Sequence, residues 1–528
     1  MNIPALHVTQ RLNRLGVLAV LLILHFSPLL RAGELELLNA AVRSIKADTL
    51  KHHTLFLASD TLEGREAGST GGHAAGAYLL DLLKKSGLKP KGDDNDFVQA
   101  FGDDYRNLLA YIPGDDPQLK HEVVLIGAHY DHVGYGTASN SFGPLGQIHN
   151  GADDNASGVS GLVEVIEALT QEPLKLKRSV MIAFWDGEEK GLLGSEHWVD
   201  APTVPLENIR FYVNIDMIGR LANNRMKLYG VRSAPGLRQW VAEQNQVSNV
   251  QIDFDWTLKR DSDHYPFYQH QIPFFMLHTG LHEDYHRPSD DPEKLNWKGM
   301  EQVSRLMFQI LYAAAQADKL PAFRTEVSNE TPSVQADWDR PAPAAPPRLG
   351  IAWNRDKETE GIIEVILVAE GSPAEQAGFK VGDRILKIGA TEITAETAFI
   401  RCVNRAHNPV EFHVQRAGET APLTVTAQLN GSPLRLGAAW RTDAAEPGVI
   451  TLVRVDQASP ADLAGLKLGD RISQVAGERL KGSDHFRDLI TTHAGPLDLL
   501  RERAGQLETV TVKFDDDPVV ENKDAGGE

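Results

Sequence analysis

The chain has 528 residues, room for two to four domains, and its 42% apolar and 24% charged residues are the balance of a soluble globular protein. A net charge of −19 supplies no basic surface to neutralise phosphates and argues against a nucleic-acid partner. The single cysteine, Cys402, excludes an internal disulfide.

Residues 1–33 stand apart from the rest. Arg11 and Arg14 precede "LGVLAVLLILHF", and Ala32 and Gly33 follow, the charged start, short apolar core and small-residue exit of a secretory signal peptide. That core is short for a membrane span, so no stable span is expected once the signal is cleaved. An exported chain without disulfides fits a bacterial periplasm or the extracellular medium better than a eukaryotic secretory route.

From residue 34 to 318, apolar runs of strand length alternate with helical patterns. "EVVLIGA" (122–128), "SVMIAFW" (179–185), "FYVNIDM" (211–217) and "IPFFMLH" (272–278) are nearly continuous apolar runs, as in strands buried on both faces. "GVSGLVEVIEALTQ", "PGLRQWVAEQNQ" and "GMEQVSRLMFQILYAAAQADK" carry helical spacing between and after them. The alternation predicts an α/β fold with a largely parallel central sheet flanked by helices. Residues 319–347 end in "DRPAPAAPP" and read as a semi-rigid, Pro-rich linker. An internal repeat follows. "GSPAEQAGFKVGDRI" at Gly371 returns as "ASPADLAGLKLGDRI" at Ala458, and "LGIAW" at Leu349 as "LGAAW" at Leu436, both 87 residues on (458 − 371 and 436 − 349). Two small β-rich modules are therefore expected at 348–430 and 431–516, with an acidic disordered tail at 517–528.

Three of the apolar runs carry acids or imidazoles at their ends: "HYDH" after the first, "DGEE" after the second, and Asp216 within the third. In a doubly wound sheet the carboxyl ends of the strands form the ligand crevice, so His129, Glu188, Glu189 and Asp216 converge on one rim. "NGADDNASG" leads into the next helix there, and "TGLHEDYHRPSDD" brings His286 near. Carboxylates and imidazoles without cysteine suit zinc, manganese or cobalt. The set is too large for one catalytic zinc and suits two ions bridged by a carboxylate, whose charge also relieves the repulsion between the adjacent Asp153 and Asp154.

"GAHYDHVG", "NGADDNASG", "WDGEEKGLLGS", "NIDMIGR" and "EDYHRPSD" together resemble the motifs of the co-catalytic di-zinc aminopeptidases, over about residues 45–315 and in the family's order. "SDTLEGREAGSTGG" resembles that family's N-terminal region. The resemblance implies a zinc-peptidase (phosphorylase/hydrolase-like) fold and two Zn2+, with Mn2+ or Co2+ as substitutes. His129 and Asp216 would hold one ion and Glu189 and His286 the other. Asp153 would bridge them, with a cis peptide bond to Asp154 behind it. Glu188 would be the general base, Asp131 would orient His129, and Asp290 would support His286. His264 and Tyr285 fall where the family lines its substrate pocket. His132, His149, His278 and His282 are equally consistent with structural roles.

The repeated modules resemble PDZ domains of the bacterial periplasmic type. That resemblance places Leu349, Gly350 and Ile351, and Leu436, Gly437 and Ala438, in loops that present backbone N–H groups to protein C-termini or extended peptides. The expected function is that of an exported, zinc-dependent metallopeptidase acting on peptide substrates as an aminopeptidase. A carboxypeptidase or dipeptidase of the same fold, and a PDZ-centred binding protein on an inactive peptidase scaffold, remain the alternatives.

Overall fold

A computed structural model describes residues 32–514 apart from 172–173, 356–361 and 494. Residues 1–31, most of the segment expected to be a signal peptide, and the expected acidic tail lie outside the described residues. The chain forms two compact units, with their main boundary between Gln335 and Ala336. Among the described residues no helix is long and apolar enough to cross a membrane.

The first unit is built on a nine-stranded sheet. Its strands are β1 (Lys89–Pro90), β2 (Val98–Phe101), β3 (Tyr105–Ile112), β4 (Val123–His129), β5 (Ser179–Trp185), β6 (Ile209–Ile215), β7 (Arg225–Tyr229), β8 (Gln251–Asp255) and β9 (Phe274–His278). They lie in the order β1-β3-β5-β4-β6-β9-β7-β8, with β2 also on β3. The four apolar runs are the four central strands, β5, β4, β6 and β9, and all three of their pairings are parallel. Every residue of β4 and β5 is buried, because neighbours alternate between two cores. Val124 and Ile126 pack with helices on one face, and Val123 and Leu125 with Trp185, Trp198 and Phe267 on the other. Helices Ala47–Leu57, Gly158–Gln171 and Trp297–Gln316 pack together on the first face. The antiparallel additions β1, β2 and β7 are short or half-exposed and lack the continuous apolar signature of the centre.

The second unit contains two six-stranded antiparallel sheets of the same plan. In one, β10 (Ile351–Trp353), β11 (Ile363–Val368), β12 (Arg384–Ile388), β14 (Val410–Gln415) and β15 (Leu423–Ala427) lie in that order, with β13 (Thr391–Glu392) on β12. In the other, β16 (Ala438–Arg441), β17 (Ile450–Val455), β18 (Arg471–Val475), β20 (Leu497–Arg503) and β21 (Gln506–Val512) repeat it, with β19 (Glu478–Arg479) on β18.

The shared motif has a physical basis. Ser372 and Ser459 cap a short helix by accepting from the backbone N–H of Glu375 and Asp462, with proline at the first helical position. The buried "GDRI" carboxylates, Asp383 and Asp470, accept from the Lys380 and Lys467 amides. They also pair with Arg416 and Arg503, at 2.7 and 2.6 Å.

The segment expected as an extended linker is partly ordered. It holds a 3-10 turn at Thr325–Asn329 and a helix at Pro332–Trp338, and its end is hydrogen-bonded to the second repeat: Ala342 N–H donates to the Val453 carbonyl at 2.8 Å.

Candidate metal centre

Four strand ends and the loops after them assemble the polar cluster. His129 is the last residue of β4, Asp216 follows β6 directly, Glu188 and Glu189 lie in the turn after β5, and His286 lies in the loop after β9. The expected strand-end convergence is realised.

Two donor groups result, each with all its donor atoms within 4.8 Å of one another: His129, Glu188 and Asp216, and His132, Asp154 and Glu189. In the first, His129 Nε2 stands 3.4 Å from Asp216 Oδ1. In the second, Glu189 Oε1 stands 2.9 Å from His132 Nδ1 and Glu189 Oε2 3.2 Å from His286 Nε2. Asp154 lies between the groups. Its Oδ1 is 3.4 Å from His129 Nε2 and its Oδ2 is 3.0 Å from His286 Nε2.

The position between the groups, expected of Asp153, therefore belongs to Asp154. Asp153 is turned into the protein. Its Oδ1 accepts from Ser157 Oγ and the Gly219 amide, at 2.9 and 2.6 Å, and its Oδ2 lies 3.1 Å from His282 Nε2. The cis peptide bond likewise joins Asp154 to Asn155, not Asp153 to Asp154. Asp290, expected behind His286, instead accepts from the backbone N–H groups of Asp153 and Asp154, at 2.9 and 3.1 Å. Its other oxygen meets Arg220 at 3.2 Å. Asp131 does more than face His129: its carboxylate accepts from the Glu188 and Glu189 amides at 3.1 and 3.3 Å, so one side chain ties the β4 end to the acidic turn. His129 Nδ1 meets the Asp131 backbone carbonyl at 3.2 Å and its carboxylate at 3.7 Å.

Tyr285 stacks on His286 with ring centres 3.9 Å apart, and His286 Nδ1 meets the Asn140 carbonyl at 2.9 Å. His264 does not join the donor groups. Its ring stacks on Phe274 at 5.0 Å, and burial lowers its pKa to about 4, so it is neutral.

Two residues that the sequence did not assign to the site matter here. His132 is buried with Nδ1 on Glu189 and Nε2 without a hydrogen-bond partner. Its spacing from His129 in "HYDH" was the available signal. Arg65, from "LEGREAG", is fully buried beneath the acids. Its guanidinium donates to the carbonyls of Leu57, Tyr130, Asn150 and Gly151, and so binds the β4 end to the Asp153–Asp154 loop. Burial lowers its pKa to about 10, against the opposing pull of Asp154, Asp131, Asp290 and Glu189.

The electrostatics call for cations. Burial raises the Glu188 carboxyl well above the usual carboxylate range, with Glu189, Asp263 and Asp216 adding to it. Burial also lifts Asp263 to about 7 and Asp290 to about 6. Burial would depress His286, but the carboxylates of Asp154 and Glu189 hold it up at about 11. Carboxylates outnumber imidazoles, a buried imidazole nitrogen is unpaired, and both donor types suit a borderline-hard divalent ion. The residues fit zinc.

In the repeats, Gly350 and Gly437 have φ of 80° and 71°, where a Cβ would strike Ser372 and Ser459. Leu349 and Leu436 are buried, and their carbonyls accept from the Ala374 and Ala461 amides. Ile351 and Ala438 open the edge strands β10 and β16.

Residues 107–311 match the family profile described as Peptidase family M28, and residues 347–427 and 451–503 match profiles described as PDZ domain. The chain carries a peptidase family M28 domain followed by two PDZ domains. The M28 domain is 32% identical over 214 residues to aminopeptidase YwaD of Bacillus subtilis, a match that covers 38% of this chain and 44% of that one. The uncharacterized protein YfbL of Escherichia coli is 27% identical over 268 residues, 44% of this chain and 78% of that one. The LapA aminopeptidase structure from Legionella pneumophila is 20% identical, with a TM-score of 0.46 over 60% of this chain and 80% of that one. The chain thus spans less than half the length of the first of these curated relatives.

Proposed function

We propose that the protein is an exported, zinc-dependent aminopeptidase. The observation that carries the reading is Asp154, whose two carboxylate oxygens face separate donor groups with Glu188 beside one of them. His129 and Asp216 would hold one ion, Glu189, His286 and the adjacent His132 the other, and Asp154 would join the two. Mn2+ and Co2+ suit the same donors. Bound zinc supplies the positive charge that polarises a scissile carbonyl and acidifies a water. Glu188, beside His129 and Asp216, would accept a proton from a water and pass it to the leaving amine. Asp131 fixes Glu188 in place through its amide.

Removal of N-terminal residues is supported by aminopeptidase YwaD and by the relative named leucine aminopeptidase 2 of Trichophyton equinum. Export is supported by the pattern of residues 1–33. The PDZ domains would offer Leu349–Ile351 and Leu436–Ala438 to protein C-termini or extended peptides.

The test offers aminoacyl-amide substrates with free and acetylated N-termini, before and after chelation and zinc return. Cleavage confined to free N-termini, lost on chelation and restored by zinc, is expected. Zinc-dependent cleavage of acetylated peptides would move the activity to a carboxypeptidase or endopeptidase. Zinc binding without hydrolysis would favour a PDZ-centred binding protein.

A further inference from the structure

The two PDZ domains differ at one place that the repeat makes directly comparable. Each pairs its edge strand with the next through a β-bulge, and the skipped residues, Ile366 in β11 and Val453 in β17, are equivalent (453 − 366 = 87). In the second domain the bulge is covered. Ala342 N–H donates to the Val453 carbonyl, and Arg454 donates to the Pro343 carbonyl at 2.7 Å. Arg441 holds the Trp338 and Arg340 carbonyls at 2.7 and 2.9 Å, and its guanidinium lies 5.2 Å from the Trp338 ring centre. Val453 is consequently only 6% exposed.

In the first domain, Ile366 and the adjacent Leu367 are each 52% exposed. The two arginines that grip carbonyls in the second domain are replaced here, Arg454 by Leu367 and Arg441 by Asn354.

We propose that the Ile366–Leu367 bulge of the first PDZ domain is a docking seat for an extended Pro–apolar–Pro segment of another polypeptide. The occupant's chemistry is read from the segment on the equivalent seat. In "RPAPAAPP" (340–347), Pro341 and Pro343 have no N–H and fixed φ, so Ala342 supplies the one backbone donor within Pro341–Pro343. A bulge exposes the strand edge to such a single donor without needing a full ladder. Leucine in place of arginine substitutes apolar contact for the grip on a carbonyl. The chain's own Pro-rich segment is already seated on the second domain, in every copy, so the occupant of the first seat is a different chain. The seat lies on β11, where Leu367 is registered against Ala352 of β10, directly after the Leu349–Ile351 loop, and the inference is independent of the peptidase reading.

The test uses the full chain and a fluorescein-labelled peptide RPAPAAPP, acetylated and amidated so that it offers neither a free terminus for cleavage nor a terminal carboxylate. Saturable binding is expected, weakened at least about tenfold by Leu367→Asp and by Ile366→Asp, both exposed positions. Unchanged thermal unfolding of each variant would exclude misfolding as the cause. No saturable binding, or binding undiminished in both variants, would overturn the proposal. So would Leu367-dependent self-association without peptide, which would assign the face to a second copy.

Discussion

Asparagine at position 154 keeps the side chain's size but removes the charge that faces both His129 and His286, so Asp154→Asn should lose bound metal, read directly as zinc content. Asp153→Asn should retain it, because Asp153 is spent on Ser157, Gly219 and His282. Glu188→Gln should keep its zinc while kcat falls by about 10²–10⁴-fold, since it removes a proton acceptor and leaves the proposed ligands of both ions in place. Equal zinc loss in the 153 and 154 variants would defeat the assignment of Asp154. Arg65→Met strips four backbone carbonyls of their donor and leaves neighbouring acids unopposed. It should destabilise the domain by about 3–5 kcal/mol in denaturant unfolding, with Arg65→Lys recovering part of the loss. The residue types at the centre were legible in the sequence because strand ends carried acids and imidazoles where apolar residues would continue a core. Which of two adjacent aspartates points inward was not. That choice is made by the αL turn at Gly151 and by Asp290, 137 residues from Asp153, gripping the loop's amides.

At the scale of elements, continuous apolar runs announced the four parallel strands, since burial on both faces leaves no polar alternation to misread. At the antiparallel flank, β1 has two residues and β2 four, too few to show a period, and the four consecutive buried residues of β3, Asn107–Ala110, begin with a polar asparagine. The stretch after the last long helix was read from its prolines alone, and its anchoring depends on side chains elsewhere. Glu330 there pairs with Arg232 at 2.6 Å and Arg324 at 3.0 Å. Burial works against its ionisation, but the two guanidinium groups win and hold its pKa down at about 2, from an ordinary 4.5. A depressed carboxyl stabilises the fold above its unfolded pKa, and that contribution is lost as pH falls from about 4.5 through about 2. Glu330→Gln should therefore cost on the order of 2 kcal/mol at neutral pH, with the gap to the parent chain closing progressively below pH 4.5 in denaturant titrations. A gap that stays constant down to pH 3 would show that the loss does not come from the Glu330 charge.

Across the whole molecule, separate apolar cores underlie the M28 domain and each PDZ domain. Metal bound only to the folded M28 domain stabilises that domain and nothing else. Chelation should lower one calorimetric transition, by an amount worth about 3 kcal/mol at a hundredfold excess of zinc over its dissociation constant, and leave the PDZ transitions in place. A uniform shift of all transitions would argue against a site confined to the M28 domain. The buried brace of Arg65 and the scatter of the donors from His129 to His286 also bear on when the chain becomes active. The donors span 157 residues (286 − 129), and no short fragment contains both groups. If the two groups bind metal as proposed, a chain that ends before His286 lacks one of the ligands. On the proposed reading, the ability to cut would appear only when synthesis has passed His286 and the domain has closed, and a single backbone nick that lets the His286 loop drift should abolish it.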